Sequence, residues 1–258
     1  MWVTKTTGIA VDEMVQNFYA PFAVDPGNGD RVLYGTNKVW ETTTAGDSWT
    51  PISQVLDTSD AFAFVDTVAI APSDANTVYA STGGRDAPTS QVFVTTNHGE
   101  MWTQRDLPRG SNRVNEIRVD PANAKIAYAV VNRFNGGHVF RTTDGGASWT
   151  NISGTGGGAL PNLPVWSIQI DNSTSPSTLY IGADDGVYTS TNLGDSWSRL
   201  GTGLPNVQVF QVEFNGSLRI LGAATHGRGA WEIQIAGPTP TPTPRPTPTP
   251  HPHPTETP

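Results

Sequence analysis

Two aspartates in polar, turn-rich stretches, Asp60 and Asp86, carry the side chains that could do chemistry on a sugar bond. Hydrolysis of a glycosidic bond needs a pair of carboxyl groups, about 5–5.5 Å apart for retention or about 6.5–9.5 Å for inversion. Asp60 and Asp86 are therefore the candidate catalytic pair. Around them the chain offers aromatics that could stack on apolar ring faces, namely Phe62, Phe134 and Trp166. Arg85, His226 and Arg228 could hydrogen-bond hydroxyls, and with the three aromatics they form the candidate substrate-binding set. Other charges share these stretches, among them Asp57, Arg109, Arg113, Arg133, Asp184 and Asp185. Any one of them can also be read as a solvated loop charge, and Asp184-Asp185-Gly186 as a tight hairpin turn.

What must position these residues is a repeat. Four times the chain writes Ser/Thr-x-Asp/Asn-x-Gly-x-x-Trp. The copies are Thr95, Asn97, Gly99, Trp102; Thr142, Asp144, Gly146, Trp149; and Ser190, Asn192, Gly194, Trp197, preceded by a degenerate first copy, Thr42, Thr44, Gly46, Trp49. The period is near 50 residues, which belongs to repeat architectures. Before each motif lie three short runs rich in Val, Ile, Thr and aromatics, and the tryptophan opens a fourth. Such runs, bounded by Gly, Pro, Asn and Asp, read as strands joined by tight turns. Four strands per repeat predict an all-β fold, a β-propeller of about five four-stranded blades. The short Asp or Asn accepts backbone N–H bonds two residues on, and the glycine takes a left-handed turn position. Turn bracing is thus preferred over metal or acid–base chemistry for Asp144, Asn97 and Asn192.

The motif resembles the Asp-box, or BNR repeat, of sialidases, xyloglucanase-like glycoside hydrolases, sortilin-type receptors and a photosystem-assembly factor family. The resemblance covers residues 1–236. It implies that the box closes the turn between the third and fourth strands, that its tryptophan packs between blades, and that the ligand site lies on the opposite face over the central channel. That face holds the turns between second and third strands and the links from each blade to the next. The Arg-Ile-Pro segment of sialidases is absent. The stretch THGRGAWEI (225–233) resembles the closing blade of xyloglucanase-like proteins, whose N-terminal catalytic region has no counterpart in this sequence.

The blades are expected at about 19–53, 66–106, 115–153 and 165–200, with a fifth beginning at VFQVEF (209–214). The fifth lacks a fourth run, because Thr-Pro sequence follows Gly237. Residues 2–6 look like a spare fourth strand with Trp2 in the tryptophan position. Two readings follow. Either Trp2–Thr6 pairs antiparallel with residues 230–235 and closes a five-bladed ring, or the chain is the C-terminal portion of a larger propeller, with further domains beyond either terminus.

The chain has 258 residues, a net charge of −8, 15 Lys and Arg, and no cysteine. That acidity argues against nucleic acid or anionic membranes as partners, and no run reaches membrane-spanning length. No metal ligand set or cofactor motif is present; His251 and His253 lie in the Thr-Pro tract. Two domains are expected: a propeller over 1–236 and a Thr/Pro-rich tail over 237–258. The tail should be an extended spacer, of a kind that resembles linkers of secreted bacterial polysaccharide-degrading enzymes. An extracellular or cell-surface location follows, although Met1-Trp2 leads straight into strand-like sequence rather than an apolar leader. Two functions remain open: an exported carbohydrate-active, glycoside-hydrolase-like propeller acting on a polysaccharide or glycoprotein, or a non-catalytic binding or assembly propeller. Deleting 238–258 is expected to leave the melting temperature nearly unchanged; a drop of many degrees would contradict the spacer reading.

Overall fold

Three of the second strands begin after a turn that an aspartate closes. Asp25, Asp120 and Asp171 accept backbone N–H bonds from Gly27, Ala122 and Ser173 at 2.8, 2.8 and 3.0 Å, turning the chain from a first strand into a second. The computed structural model describes residues 1–9, 17–84, 90–108 and 113–237. Among these, 19 strands form five antiparallel sheets. Blade one holds β1 (Phe22–Asp25), β2 (Asn28–Gly35), β3 (Val39–Thr42) and β4 (Thr50–Pro51). Blade two holds β5 (Phe64–Ala71), β6 (Asp74–Gly83), β7 (Gln91–Thr95) and β8 (Thr103–Gln104). Blade three holds β9 (Val114–Asp120), β10 (Asn123–Val131), β11 (Val139–Thr142) and β12 (Thr150–Asn151). Blade four holds β13 (Val165–Asp171), β14 (Thr178–Ala183), β15 (Gly186–Ser190) and β16 (Ser198–Arg199). Blade five has three strands, β17 (Val209–Asn215), β18 (Ile220–Thr225) and β19 (Gly229–Gln234). In every sheet the spatial order follows the chain, the up-and-down pattern of a propeller blade.

The core lies between blades rather than within them. Tyr79, Val92 and Val94 of blade two pack with Ile117, Val119, Phe140 and Trp149 of blade three. Tyr128, Val130 and Val139 pack with Ile168, Ile181 and Trp197 across the next interface. Trp102 joins Leu33, Val39 and Val78 between blades one and two. Between blades four and five the cluster of Tyr180, Val187, Val212 and Leu221 contains no tryptophan.

The four motif turns are built alike. The Thr or Ser hydroxyl accepts the glycine N–H four residues on, at 2.9, 3.0, 2.8 and 2.8 Å for Gly46, Gly99, Gly146 and Gly194. The next polar side chain accepts a backbone N–H four residues further, from Met101 to Asn97 and from Ser196 to Asn192 at 3.0 Å, and from Ser148 to Asp144 at 2.9 Å. In the degenerate copy Thr44 does the same for Ser48 at 3.2 Å. Each tryptophan precedes its two-residue fourth strand rather than lying on it; Trp149 and Trp197 are buried, Trp49 and Trp102 half-buried. Every motif indole donates its Nε1–H to a carbonyl of the preceding segment. Trp102 reaches Ile52, Trp149 reaches Arg105 and Trp197 reaches Ile152, all at 2.8 Å, and Trp49 reaches Lys5 at 2.9 Å.

The expected pairing of Trp2–Thr6 with β19 is not formed. Residues 1–6 hold no strand, Met1, Trp2 and Val3 are exposed, and β19 pairs only with β18. The N-terminal segment is instead fixed on blade one: the Thr7 carbonyl accepts the Trp49 N–H at 2.8 Å and Lys5 pairs with Asp47. The first strands pack in succession, β1 on β5, β5 on β9, β9 on β13 and β13 on β17, with no comparable packing of β17 on β1. The described blades therefore form an open arc. The Thr-Pro tail from 238 onward lies outside the described residues.

Gly99 has φ +85°, and a Cβ there would overlap the Ile52 carbonyl oxygen. Gly99→Ala is expected to cost about 1–3 kcal/mol, and Trp197→Ala about 3–5 kcal/mol, by chemical denaturation. Losses well under 1 kcal/mol for both would contradict the inter-blade packing.

Candidate functional site at the channel mouth

The first strands are innermost, and their alternate side chains form the wall of the central channel. A cavity of about 560 Å³ runs through it, lined by Phe22 and Val24 of blade one, Ala69 of blade two, Glu116 and Arg118 of blade three and Glu213 of blade five, among others. A second cavity of about 560 Å³ opens at the mouth and is lined by Tyr19, Asp66, Arg113, Trp166, Phe210 and Gln211, among others. The mouth lies at the entrances of the first strands, on the face of the turns between second and third strands.

At the mouth, Asp66 is held by Arg113, whose Nε donates to Oδ2 at 2.8 Å and whose Nη2 donates to Oδ1, and by Asn17, whose Nδ2 donates to Oδ1 at 2.9 Å. Burial pushes the Asp66 carboxyl above its ordinary value, against the pull of Arg113 and Asn17. Arg113 also lies over the Phe64 ring, 5.1 Å from its centroid. Opposite, the Trp166 ring meets Phe210 edge-on at 5.0 Å, and Phe210 meets the His226 ring at 5.4 Å. Trp166 is oriented by Asp184, which accepts its Nε1–H at 2.7 Å and the Gln208 Nε2–H at 2.6 Å. One wall is thus aromatic and the other carries a paired carboxylate and guanidinium, an arrangement suited to a ring with an apolar face and polar rim.

Deeper in the channel, Arg118 Nη2 lies 2.6 Å from Glu116 Oε1 and 3.8 Å from Glu213 Oε1. Glu116 Oε2 accepts the Ile168 N–H at 2.9 Å, Arg118 Nε donates to the Ile168 carbonyl at 3.3 Å, and Gln169 donates to Glu213 at 2.8 Å. These bonds tie blades three, four and five together. Desolvation pushes the Glu116 carboxyl up to about 7, against the opposing pull of Arg118 and the Ile168 N–H.

The residues singled out from sequence are scattered along this face. Trp166 lines the mouth, and His226 reaches it through Phe210. Asp60 lies in the loop before β5, where its Oδ1 accepts the Phe62 N–H at 2.8 Å, and it lines neither cavity. Phe62 and Phe134 are exposed, at 58% and 57%, and Arg228 is exposed; none of the three lines the mouth. Arg85 and Asp86 lie outside the described residues, as does Arg109. Asp144 is held to about 2 by hydrogen bonds from Ser148, then Thr142, all spent on its turn. Asp66, Glu116, Arg118, Gln211 and Glu213 went unnoticed in the sequence because they sit within strands. Their signal was polar side chains at alternate positions of first strands, Glu116 with Arg118 and Gln211 with Glu213. Among the described residues no cluster of three or more His, Cys, Asp or Glu could hold a metal ion. No helix of the described residues is long and apolar enough to cross a membrane.

Comparison with known proteins agrees on the fold. No family model matches the chain. A xyloglucanase of Hypocrea jecorina (strain QM6a) is 27% identical over 190 residues, 60% of this chain and 22% of the relative. The matched part thus spans about a fifth of the length of such curated relatives. The GH74 xyloglucanase from Xanthomonas campestris superposes with a TM-score of 0.65 at 17% identity, covering 85% of this chain and 36% of that one. The β-propeller domain of Cps50 (Swd1) from Myceliophteria thermophila does so with a TM-score of 0.59 at 10% identity, covering 84% and 65%. The chain is a β-propeller similar to part of the xyloglucanases, and the last comparison shows that this fold also serves other proteins.

The raised Glu116 value gives a pH signature. Its folded pKa of about 7 exceeds its ordinary 4.5, so the native state holds the extra proton between those values. The contribution is full below about pH 4.5 and is lost as pH rises through 7. Stability from this group should fall by up to about 3 kcal/mol across that window, and Glu116→Gln should remove that dependence. Identical pH–stability curves for Glu116→Gln and the parent chain would contradict it.

Proposed function

We propose that this propeller binds a polysaccharide across the mouth of its channel, stacking a sugar ring on Trp166 and Phe210 and hydrogen-bonding hydroxyls through Asp66, Arg113 and Gln211. The observation that carries this reading is the juxtaposition, around one cavity of about 560 Å³, of the Trp166–Phe210 pair and the Asp66–Arg113 pair. The similarity to xyloglucanases supports xyloglucan as the ligand. We read the repeated turn as an Asp-box, residues 1–236 as the binding domain, and 237–258 as a linker that holds it near an insoluble substrate outside the cell. Hydrolysis by Asp60 together with Asp86 is the companion proposal from the same relatives. Binding is the better supported of the two. Asp66 is the only carboxylate on the mouth cavity among the described residues, and it is already engaged by Arg113 and Asn17.

Titration calorimetry with xyloglucan oligosaccharides tests the reading. Trp166→Ala is expected to weaken binding about tenfold or more, about 1.4 kcal/mol, and Asp66→Asn to weaken it as well, measured at a temperature where the variant is folded by circular dichroism. Binding unchanged in both variants would overturn the placement at the mouth. A reducing-sugar assay on the same samples separates hydrolysis from binding: sugar release lost in Asp60→Asn and Asp86→Asn would establish the catalytic pair.

A further inference from the structure

The position of Lys5 in the repeat has a structural meaning. The carbonyl that receives each motif indole belongs to the residue three after the preceding tryptophan: Ile52 after Trp49, Arg105 after Trp102, Ile152 after Trp149. Lys5 receives Trp49, and it stands three after Trp2. Lys5 also packs against Gly46, as Ile52 does against Gly99, Arg105 against Gly146 and Ile152 against Gly194. Trp2–Lys5 therefore occupies, against blade one, the place of a fourth strand, and among the described residues no strand pairs with it.

Blade five shows the converse. In blades one to four the second residue after the tryptophan pairs with an aromatic of the third strand: Pro51 with Trp40, Gln104 with Phe93, Asn151 with Phe140, Arg199 with Tyr188. The equivalent aromatic of blade five is Trp231, opposite Ala223 just as Phe93 is opposite Ala80 and Phe140 opposite Ala129. Trp40, Phe93 and Phe140 are 2%, 7% and 4% exposed, whereas Trp231, with no fourth strand on it, is 40% exposed. Beside it, Val187, Leu200, Leu204, Leu221, Ala223 and Ile233 line an apolar cavity of about 260 Å³. Val187 and Leu200 correspond to Val139 and Ile152, which pack with Trp197 one interface earlier. The cavity is the tryptophan slot of blade five, without its tryptophan.

We infer that this slot and the β19 edge are a docking site for the N-terminal strand of a second copy of this chain. Trp2 of the incoming copy fills the slot, Thr4 pairs with Trp231 and Val3 with Glu232. In one molecule Lys5 and Thr7 are fixed on blade one, and the arc does not bring blade five back to them. In a head-to-tail pair, blade one of one copy sits on blade five of the next as any blade sits on its neighbour. The contact joins two different surfaces, so it yields a closed ring where the rotation closes and a filament where it does not. It covers an edge strand that otherwise presents unpaired backbone groups beside apolar side chains.

Sedimentation velocity of the full chain over a dilution series tests this. Concentration-dependent association is expected, lost in Trp2→Ala with the melting temperature unchanged, because Trp2 is fully exposed within one copy. A peptide of residues 1–6 should dissolve the association, and a scrambled peptide should not. A chain that stays monomeric at every concentration overturns the inference, whether its Trp2 indole remains accessible or becomes protected by closure within one molecule. Association undiminished in Trp2→Ala also overturns it.

Discussion

The structure depends on one bond repeated from blade to blade: an indole N–H of one motif donated to the carbonyl three residues past the tryptophan before it. Apolar packing between blades is non-directional and fixes how tightly they approach but not their register. The indole bonds add register on the side of the motif turns from the N-terminal segment to blade four, while side-chain bonds such as Arg113 to Asp66 and Gln169 to Glu213 add it along the channel. Each indole bond forms in a partly desolvated slot, where leaving either partner unpaired costs about 1–3 kcal/mol. The preceding glycine lets the next blade come close enough for the bond to form. Slot, glycine and carbonyl form one unit, and the same three features recur at Lys5 and Gly46 where blade one meets the N-terminal segment.

Once the register is fixed, the first strands are forced together at the axis, and their alternate side chains have no choice but to line the channel. Its character then follows from composition. On the side of blades one and two it is largely apolar, with Phe22, Val24 and Ala69; on the side of blades three to five it carries Glu116, Arg118, Gln169, Gln211 and Glu213. The polar side is internally satisfied across three blades, which stiffens that half of the arc. At the mouth the same geometry places Trp166 and Phe210, both near the entrance of a first strand, edge to face. The mouth is therefore a product of blade spacing, and side chains far apart in sequence meet there because equivalent positions recur about every 50 residues.

This explains which parts could be read from the chain. The turn motif is local chemistry: a hydroxyl, a short acceptor and a glycine within eight residues fold the same way wherever they occur, so the acceptors at 44, 97, 144 and 192 marked four blades. The blade limits followed from that. Trp166 was legible as an aromatic at a strand entrance, but its partner Phe210 and its orienting Asp184 are partners only in space. Asp60 drew notice because loops hold most exposed charge, whereas the carboxylate that lines the mouth, Asp66, lies at the third position of β5 and is held by Arg113 from the next blade. Trp2 reads in the sequence like the other motif tryptophans, but in the structure its indole is exposed and residues 1–6 hold no strand; which sheet edge such a segment meets is set by the curvature of the whole arc, and no local pattern encodes that.

The central claim, that indole-to-carbonyl bonds hold the blades in register, is tested most directly by hydrogen exchange at the indole N–H groups of tryptophan-labelled protein, read by NMR in dilute solution. The chain has eight tryptophans, so each indole can be assigned by single substitutions. The account predicts slow exchange at Trp49, Trp102, Trp149 and Trp197 and fast exchange at Trp2, whose indole is fully exposed. Motif indoles that exchange as fast as Trp2 would contradict it.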